Sequence, residues 1–385
     1  MIRISQIRSN RELDIEILKK KAARVLHLSP RQIKSLVVQK KSIDARGKDQ
    51  IRYVYTVLIS VDREEELVKR ANSRDVCLAE ETVYEAPIQP GNSGPGERGR
   101  HEEGKASGRQ SAGEECRHEE GKASGSLMTR TGGCLGEGTA FDSPRTRTGG
   151  RFEEGAASDS FHDSGSGTPK GGFDHGPSPV IAGFGPAGMF CALLLARAGR
   201  KPIILERGSS VDKRVEDVEA FWSTGRLNPN SNVQFGEGGA GTFSDGKLNT
   251  LVRDPRGRNR FVLETFVKYG ADPQILTDAK PHIGTDILRG IVKGIREEII
   301  SLGGEFHFDT RLKGFYLDKG GRLKGVLADH QGMDMEFPAK ELILALGHSA
   351  RDTFHMLYDK GVNLAAKPFA VGFRIQHPQE MINEA

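Results

Sequence analysis

One stretch constrains this chain more than any other: a short apolar strand that runs into a Gly-x-Gly-x-x-Gly turn and then into a helix rich in Ala and Leu. It reads Pro179-Val180-Ile181-Ala182-Gly183-Phe184-Gly185-Pro186-Ala187-Gly188 and continues from Met189 to Ala196. The glycine pattern gains meaning only between a strand and a helix. Gly183 suits the tight turn, Gly185 lets a pyrophosphate approach the backbone, and Gly188 lets the helix pack close to the strand. The helix N-terminus, with Pro186 and Ala187 in its first turn, offers N–H groups and partial positive charge to an anion. Pro186 occupies a position where a missing N–H costs nothing. A second strand, Lys201 to Leu205, ends at Glu206, 18 residues after Gly188. That is near the spacing of a carboxylate that receives hydrogen bonds from an adenosine ribose. The stretch predicts a dinucleotide site. The bland alternative is a close strand–helix crossing, with Glu206 a solvated strand end.

Composition divides the rest. The chain has 385 residues, enough for two or three domains, yet only 36% are apolar and 48 are glycine. Some part of it therefore has little to bury. The four cysteines (Cys77, Cys116, Cys134 and Cys191) form no C-x-x-C pair and no C-x₄-C pair of the flavin disulfide reductase kind. No metal site is expected. The cysteine count suits a reducing compartment. Met1 to Gln6 carries no signal-peptide core, and no run reaches membrane-spanning length. The expectation is a cytoplasmic protein with no membrane partner.

Residues 1–82 predict a small basic α+β domain. Ile2, Ile4 and Ile7 suggest a strand, Arg11 to Leu28 an amphipathic helix, and Ile33 to Ile43 a strand. Gln50 to Val61 alternates in the manner of a half-buried strand, and Arg63 to Ala71 reads as a helix. This order fits a ferredoxin-like module. Residues 1–80 hold 18 Lys and Arg against 11 Asp and Glu, a net +7. Lys19-Lys20-Lys21 and Lys40-Lys41 offer an anionic-partner surface, or simply solvated faces. Nucleic acid is not the expected partner, because no aromatic pair is interleaved with the charges.

Residues 83–177 predict a disordered linker. Arg100 to Gly108 recurs 17 residues later as Arg117 to Gly125, and Thr129 to Gly133 recurs as Thr146 to Gly150. These units are rich in Gly, Ser and charge, with too little apolar surface to offset the entropy of ordering.

From 178 onward the pattern is α/β. Val211 to Trp222 reads as a helix. Gly236-Glu237-Gly238-Gly239-Ala240-Gly241 repeats the glycine pattern but lacks a preceding strand, so it reads as a backbone-lined loop against a flat or anionic ligand, with Lys247 able to add positive charge. Helices follow at Arg258 to Tyr269 and Asp286 to Leu302, the latter with Thr285 as N-cap. Strands from Glu305 to Phe337 read as an antiparallel meander. Glu341 to Leu346 is a strand that ends at Gly347 and returns the chain to the dinucleotide sheet.

Val180 to Glu206, the loop Gly236 to Leu248, Pro281 to Asp286 and Gly347-His348-Ser349-Ala350-Arg351-Asp352 together resemble the uncharacterised FAD-dependent dehydrogenases of the two-domain flavoprotein group. Lys41 to Arg46 in the N-terminal domain is similar to theirs as well. The resemblance implies a Rossmann-like FAD-binding domain with an inserted α+β substrate domain. It implies FAD as cofactor, with NAD(P)H a candidate electron donor and a small molecule as substrate. Gly183, Gly185, Pro186, Ala187 and Gly188 would hold the pyrophosphate, and Glu206, with Arg207 beside it, the ribose. Gly238, Gly239, Ala240, Gly241, Asp245 and Lys247 would lie along the flavin, and Gly347 beside it. No catalytic residue is assigned; His282, His348 and Lys247 are candidates. Such flavoproteins close with a further strand, turn and helix, whereas this chain stops at Ile382-Asn383-Glu384-Ala385. The expectation is an incomplete substrate domain, from a fragment or a truncated gene. The alternatives are an NAD(P)-dependent dehydrogenase with one Rossmann turn, a non-catalytic flavoprotein relic, and an anion-binding protein acting through its basic domain.

Overall fold

The three apolar residues Val180, Ile181 and Ala182 are all buried, which marks a strand covered on both faces rather than one. The computed structural model describes residues 1–46, 51–80, 83–86, 176–244, 246–248, 250, 254–373 and 375–384, which belong to one compact unit. The repeats, the linker expected at 83–177 (apart from 83–86 and 176–177) and Asp245 lie outside the described residues.

The N-terminal part alternates β1 (Ile2–Ser9), α1 (Ile15–Val25), β2 (Ser35–Asp44), β3 (Arg52–Ser60), α2 (Glu64–Ala71) and β4 (Val76–Leu78). Its sheet has the order β2-β3-β1-β4, and every pairing is antiparallel. The Asp14 carboxylate caps α1 by accepting from the Ile17 N–H at 2.8 Å. Ile2, Ile4, Leu18, Ala22, Val57 and Ile59 fill the core between sheet and helices. The three-residue β4 is too short to show a period, and the sequence reading missed it.

The second sheet is parallel, with the order β11-β5-β6-β7. Its strands are β5 (Val180–Ala182), β6 (Ile203–Leu205), β7 (Glu305–His307) and β11 (Leu342–Leu344). Helices α3 (Pro186–Arg197), α4 (Val211–Thr224), α5 (Arg258–Lys268) and α6 (Thr285–Ser301) connect the first three strands. The meander contains β8 (Thr310–Leu317), β9 (Leu323–His330) and β10 (Met333–Pro338), ordered β10-β9-β8. Two short helices follow, α7 (Arg351–Asp359) and α8 (Gln379–Glu384). The side chains of a strand alternate between faces. Ile181 and Ile204 meet Leu193, Ile291, Ile295 and Ile299 on the helical side. Val180, Ala182 and Leu205 meet Leu312, Val326, Ala328 and Phe337 of the meander on the other. Each such buried Val, Leu, Ile or Phe side chain contributes about 1.5–3 kcal/mol.

Two expectations are corrected here. The strand at Glu305 is not part of the meander: β7 extends the parallel sheet through its pairing with β6. Gly284, not Thr285, is the N-cap of α6, and Thr285 is its first residue. No helix among the described residues is long and apolar enough to cross a membrane.

The N-terminal sheet joins the rest through backbone. The Lys41 N–H donates to the Thr277 carbonyl at 2.6 Å, and the Ala279 N–H to the Lys41 carbonyl at 2.8 Å. The Lys41 ammonium bridges Glu12 at 2.9 Å and Asp278 at 3.2 Å and is largely buried. Lys41 is therefore not part of a solvated basic face. The hydrogen bond to Glu12 and the attraction of Asp278 outweigh burial and raise its pKa.

Candidate functional site: a cavity between two glycine segments

The turn after β5 is built by contact. A Cβ on Gly188 would stand 1.9 Å from the Gly183 carbonyl oxygen, so α3 can start this close to the strand only with glycine there. No side chain caps α3, which leaves its first-turn N–H groups to whatever occupies the space in front of them. That space is a cavity of about 720 Å³. Its wall includes Gly183, Gly185, Pro186, Ala187, Glu206, Arg207, Gly239, Ala240, Gly241 and Gly347. The two ends of the sequence pattern, the turn after β5 and the glycine after β11, thus open on one space.

Glu206 knits three backbones together. Its Oε2 accepts from the Phe184 N–H at 2.7 Å; its Oε1 accepts from the Gly208 and Gly236 N–H groups, each at 3.0 Å. The carboxylate is almost fully buried. Residues 184, 208 and 236 are therefore held around one negative charge at the cavity wall.

The second glycine loop meets the first. Gly239 has φ +69°, and its Cα approaches Gly185 so closely that a Cβ would stand 2.9 Å from the Gly185 Cα. A single 3-10 turn at Ala240–Phe243 then carries the loop away. Three expected contacts are not on the cavity wall. Gly188 packs behind the turn. Gly238 points into the protein, where a Cβ would meet the Thr242 hydroxyl at 2.2 Å and Val292 at 3.1 Å. Lys247 pairs through its backbone with His282, away from the cavity. His348 does reach the wall, with its Nε2 3.3 Å from the Ser349 hydroxyl.

The sequence reading missed an ionic chain along the rim. Asp352 at the start of α7 accepts from Arg207 and, at 2.8 Å, from Arg311. Arg311 also reaches Asp329 at 3.1 Å. Burial pushes the Asp352 carboxyl up, but the two guanidinium groups outweigh it and hold the pKa down at about 2. The Arg207 guanidinium also lies over the Phe235 ring, 4.4 Å from its centroid. Among the described residues no group of three or more His, Cys, Asp and Glu is placed to hold a metal.

Residues 1–60 match the family described as "Domain of unknown function (DUF8436)". An uncharacterized protein of Clostridium beijerinckii is 38% identical over 382 residues, covering 99% of this chain and 55% of its own length. The chain thus spans about half the length of that curated relative. Among solved structures, Thermovibrio ammonificans THI4 is similar with a TM-score of 0.33 and 16% identity, over 48% of this chain and 62% of its own. Glycine oxidase from Bacillus cereus gives 0.26 and 13%, over 49% and 59%. L-proline dehydrogenase from P. horikoshii gives 0.26 and 12%, over 48% and 56%. At such scores the architecture rests on the strand order and the site geometry alone.

Proposed function

We propose that the cavity binds the ADP portion of FAD and that the chain belongs to a flavin-dependent oxidoreductase acting on a small molecule. The observation that carries this reading is the single cavity shared by an uncapped helix N-terminus, the Glu206 carboxylate and the strand-end Gly347. Its volume, about 720 Å³, lies within the ~300–1,000 Å³ usual for cofactor pockets. The glycine wall fits an extended diphosphate, because Gly185 and Gly239 leave backbone alone on both sides of the α3 N-terminus. In this reading Gly185, Pro186 and Ala187 receive the pyrophosphate. Glu206 orders the three backbones around the adenosine end, and Arg207, fixed by Asp352 and Phe235, walls it. Gly239, Ala240 and Gly241 run beside the remainder of the ligand towards Gly347. Bound FAD would supply the electron-transfer chemistry. The second glycine loop favours FAD over a lone nicotinamide dinucleotide, which needs only the first turn. In this reading the N-terminal part is a ferredoxin-like module, which its sheet order β2-β3-β1-β4 and two helices support.

The test is a visible absorbance spectrum of the purified protein, before and after denaturation, beside the Gly185→Val variant. Gly185 has φ −76°, which valine tolerates, so the substitution puts bulk in front of α3 without backbone strain. A flavin spectrum, with FAD released on unfolding and lost in the variant, supports the reading. A colourless protein that takes up no added FAD but quenches NADH fluorescence sinks it in favour of a nicotinamide site.

A further inference from the structure

Arg214, one turn into α4, is completely buried. Its guanidinium makes five hydrogen bonds, all to backbone carbonyls of residues 232–239, the second glycine loop and the segment leading into it. Nε reaches Asn232 at 2.9 Å and Nη2 reaches Val233 at 3.0 Å. Nη1 reaches Gly236 at 3.3 Å, Glu237 at 2.7 Å and Gly239 at 2.9 Å. The guanidinium also lies 4.8 Å from the centroid of Phe243, at the end of the 3-10 turn. One side chain thus spans the loop from residue 232 to residue 243. The loop answers in kind. Glu237 Oε2 accepts from the Val211 N–H at the start of α4 at 2.6 Å, and from Arg296 of α6 at 2.8 Å.

We propose that Arg214 is the positioning residue that makes this loop an anion-compatible wall, by drawing its carbonyl oxygens off the cavity. Gly236 and Gly239 both line the cavity, and both turn their carbonyls to Arg214 on the other side. Carbonyl oxygens carry partial negative charge, so left to face the cavity they would repel a diphosphate lying against Gly185. Arg214 spreads a fixed planar fork over five carbonyls: Nε and Nη2 each donate to one, and the two N–H groups of Nη1 are shared among three; lysine has three N–H groups on a single nitrogen and no such fork. Burial pulls the Arg214 pKa down to about 10, against Glu206 and Glu237, so the charge persists at neutral pH. This inference rests on the dinucleotide reading above.

The experiment compares wild type, Arg214→Lys and Arg214→Met by two readouts. The first is amide hydrogen exchange of residues 232–243 without ligand, with the β1–β3 amides as an internal control of folding. The second is calorimetric titration with ADP. In Arg214→Met the loop amides should exchange about 10-fold faster or more, the control amides should hold, and ADP affinity should fall by about 10-fold or more. Arg214→Lys should lie between. Wild-type loop protection in either variant that keeps its control amides overturns the proposal, as does a loosened loop with wild-type ADP affinity. A wild-type protein that binds neither ADP nor FAD removes the dinucleotide reading instead, while the exchange arm still decides whether Arg214 holds the loop.

Discussion

Gly239 and Gly185 lie back to back, so close that a Cβ on the first would stand 2.9 Å from the Cα of the second. The contact fixes the separation of the two glycine segments. Gly239→Ala should therefore act twice. It forces an alanine to φ +69° and ψ −169°, a region nearly confined to glycine, which costs about 1–3 kcal/mol, and it wedges the segments apart. The urea midpoint should fall accordingly, and ADP affinity should fall with it. An alanine variant that matches wild type in both measurements would show that the segments do not depend on this contact.

Glu206→Gln tests the carboxylate as an organiser rather than as a ligand contact alone. Three backbone N–H groups point at Glu206, and a glutamine must turn its own NH₂ towards at least one of them. The cost should be about 1–3 kcal/mol, the range for a buried polar group left facing the wrong partner. Chemical denaturation of ligand-free protein measures it. A loss confined to ligand affinity, with unchanged stability, would return Glu206 to the simpler role of ribose acceptor.

The rim gives a pH dependence of known sign. Asp352 is held at about 2, below the 3.8 of a free aspartate, so its ionised form stabilises the fold. That contribution is complete above pH ~4 and disappears as pH falls through 3.8 towards 2. Wild type should therefore be more stable than Asp352→Asn at pH 5, and the two urea midpoints should converge by pH 2. A constant gap across that range would mean that the charge of Asp352 is not what matters.

Lys41→Met should loosen the N-terminal sheet from the segment at 277–279. The substitution leaves Glu12 and Asp278 without their shared cation while keeping the backbone pairing. A loss of about 1–3 kcal/mol is expected for this partly buried pair. It should register as faster amide exchange at position 41 and at Ala279, with the amides of β1 unchanged. Unaltered exchange at both positions counts against the bridge.

The strand, turn, helix and terminal acid from Val180 to Glu206 were legible because each carries a local signal: an apolar run, glycines at fixed offsets, and an acid at a known distance. The return of β11 to the same sheet was legible for a like reason, a strand closing on Gly347. Arg214 was not. An arginine in Val211-Asp212-Lys213-Arg214 looks like one more solvated charge on an amphipathic helix. Only the tertiary fold shows that its guanidinium gathers five carbonyls of a loop some 20 residues away. Asp352 escaped in the same way, since its two arginines come from β8 and from the residue after Glu206. Three-residue strands such as β4 and β7 hold too few side chains to display a period, and neighbouring strands decide what they join. The repeats are legible as sequence, and their 17-residue period falls outside the described residues.

The pairing of β5 with β11 sets an order of events. Val180 sits opposite Leu342 although 162 residues separate them. Contacts that distant form slowly, because the chain between them must lose its freedom before the pairing returns anything. The floor and the far wall of the cavity should therefore come together near the end of folding, after the meander that delivers β11 has taken shape. A ligand has nothing complete to bind before that step. Its effect should be seen in how slowly the finished protein opens, and hardly at all in how fast the chain first collapses.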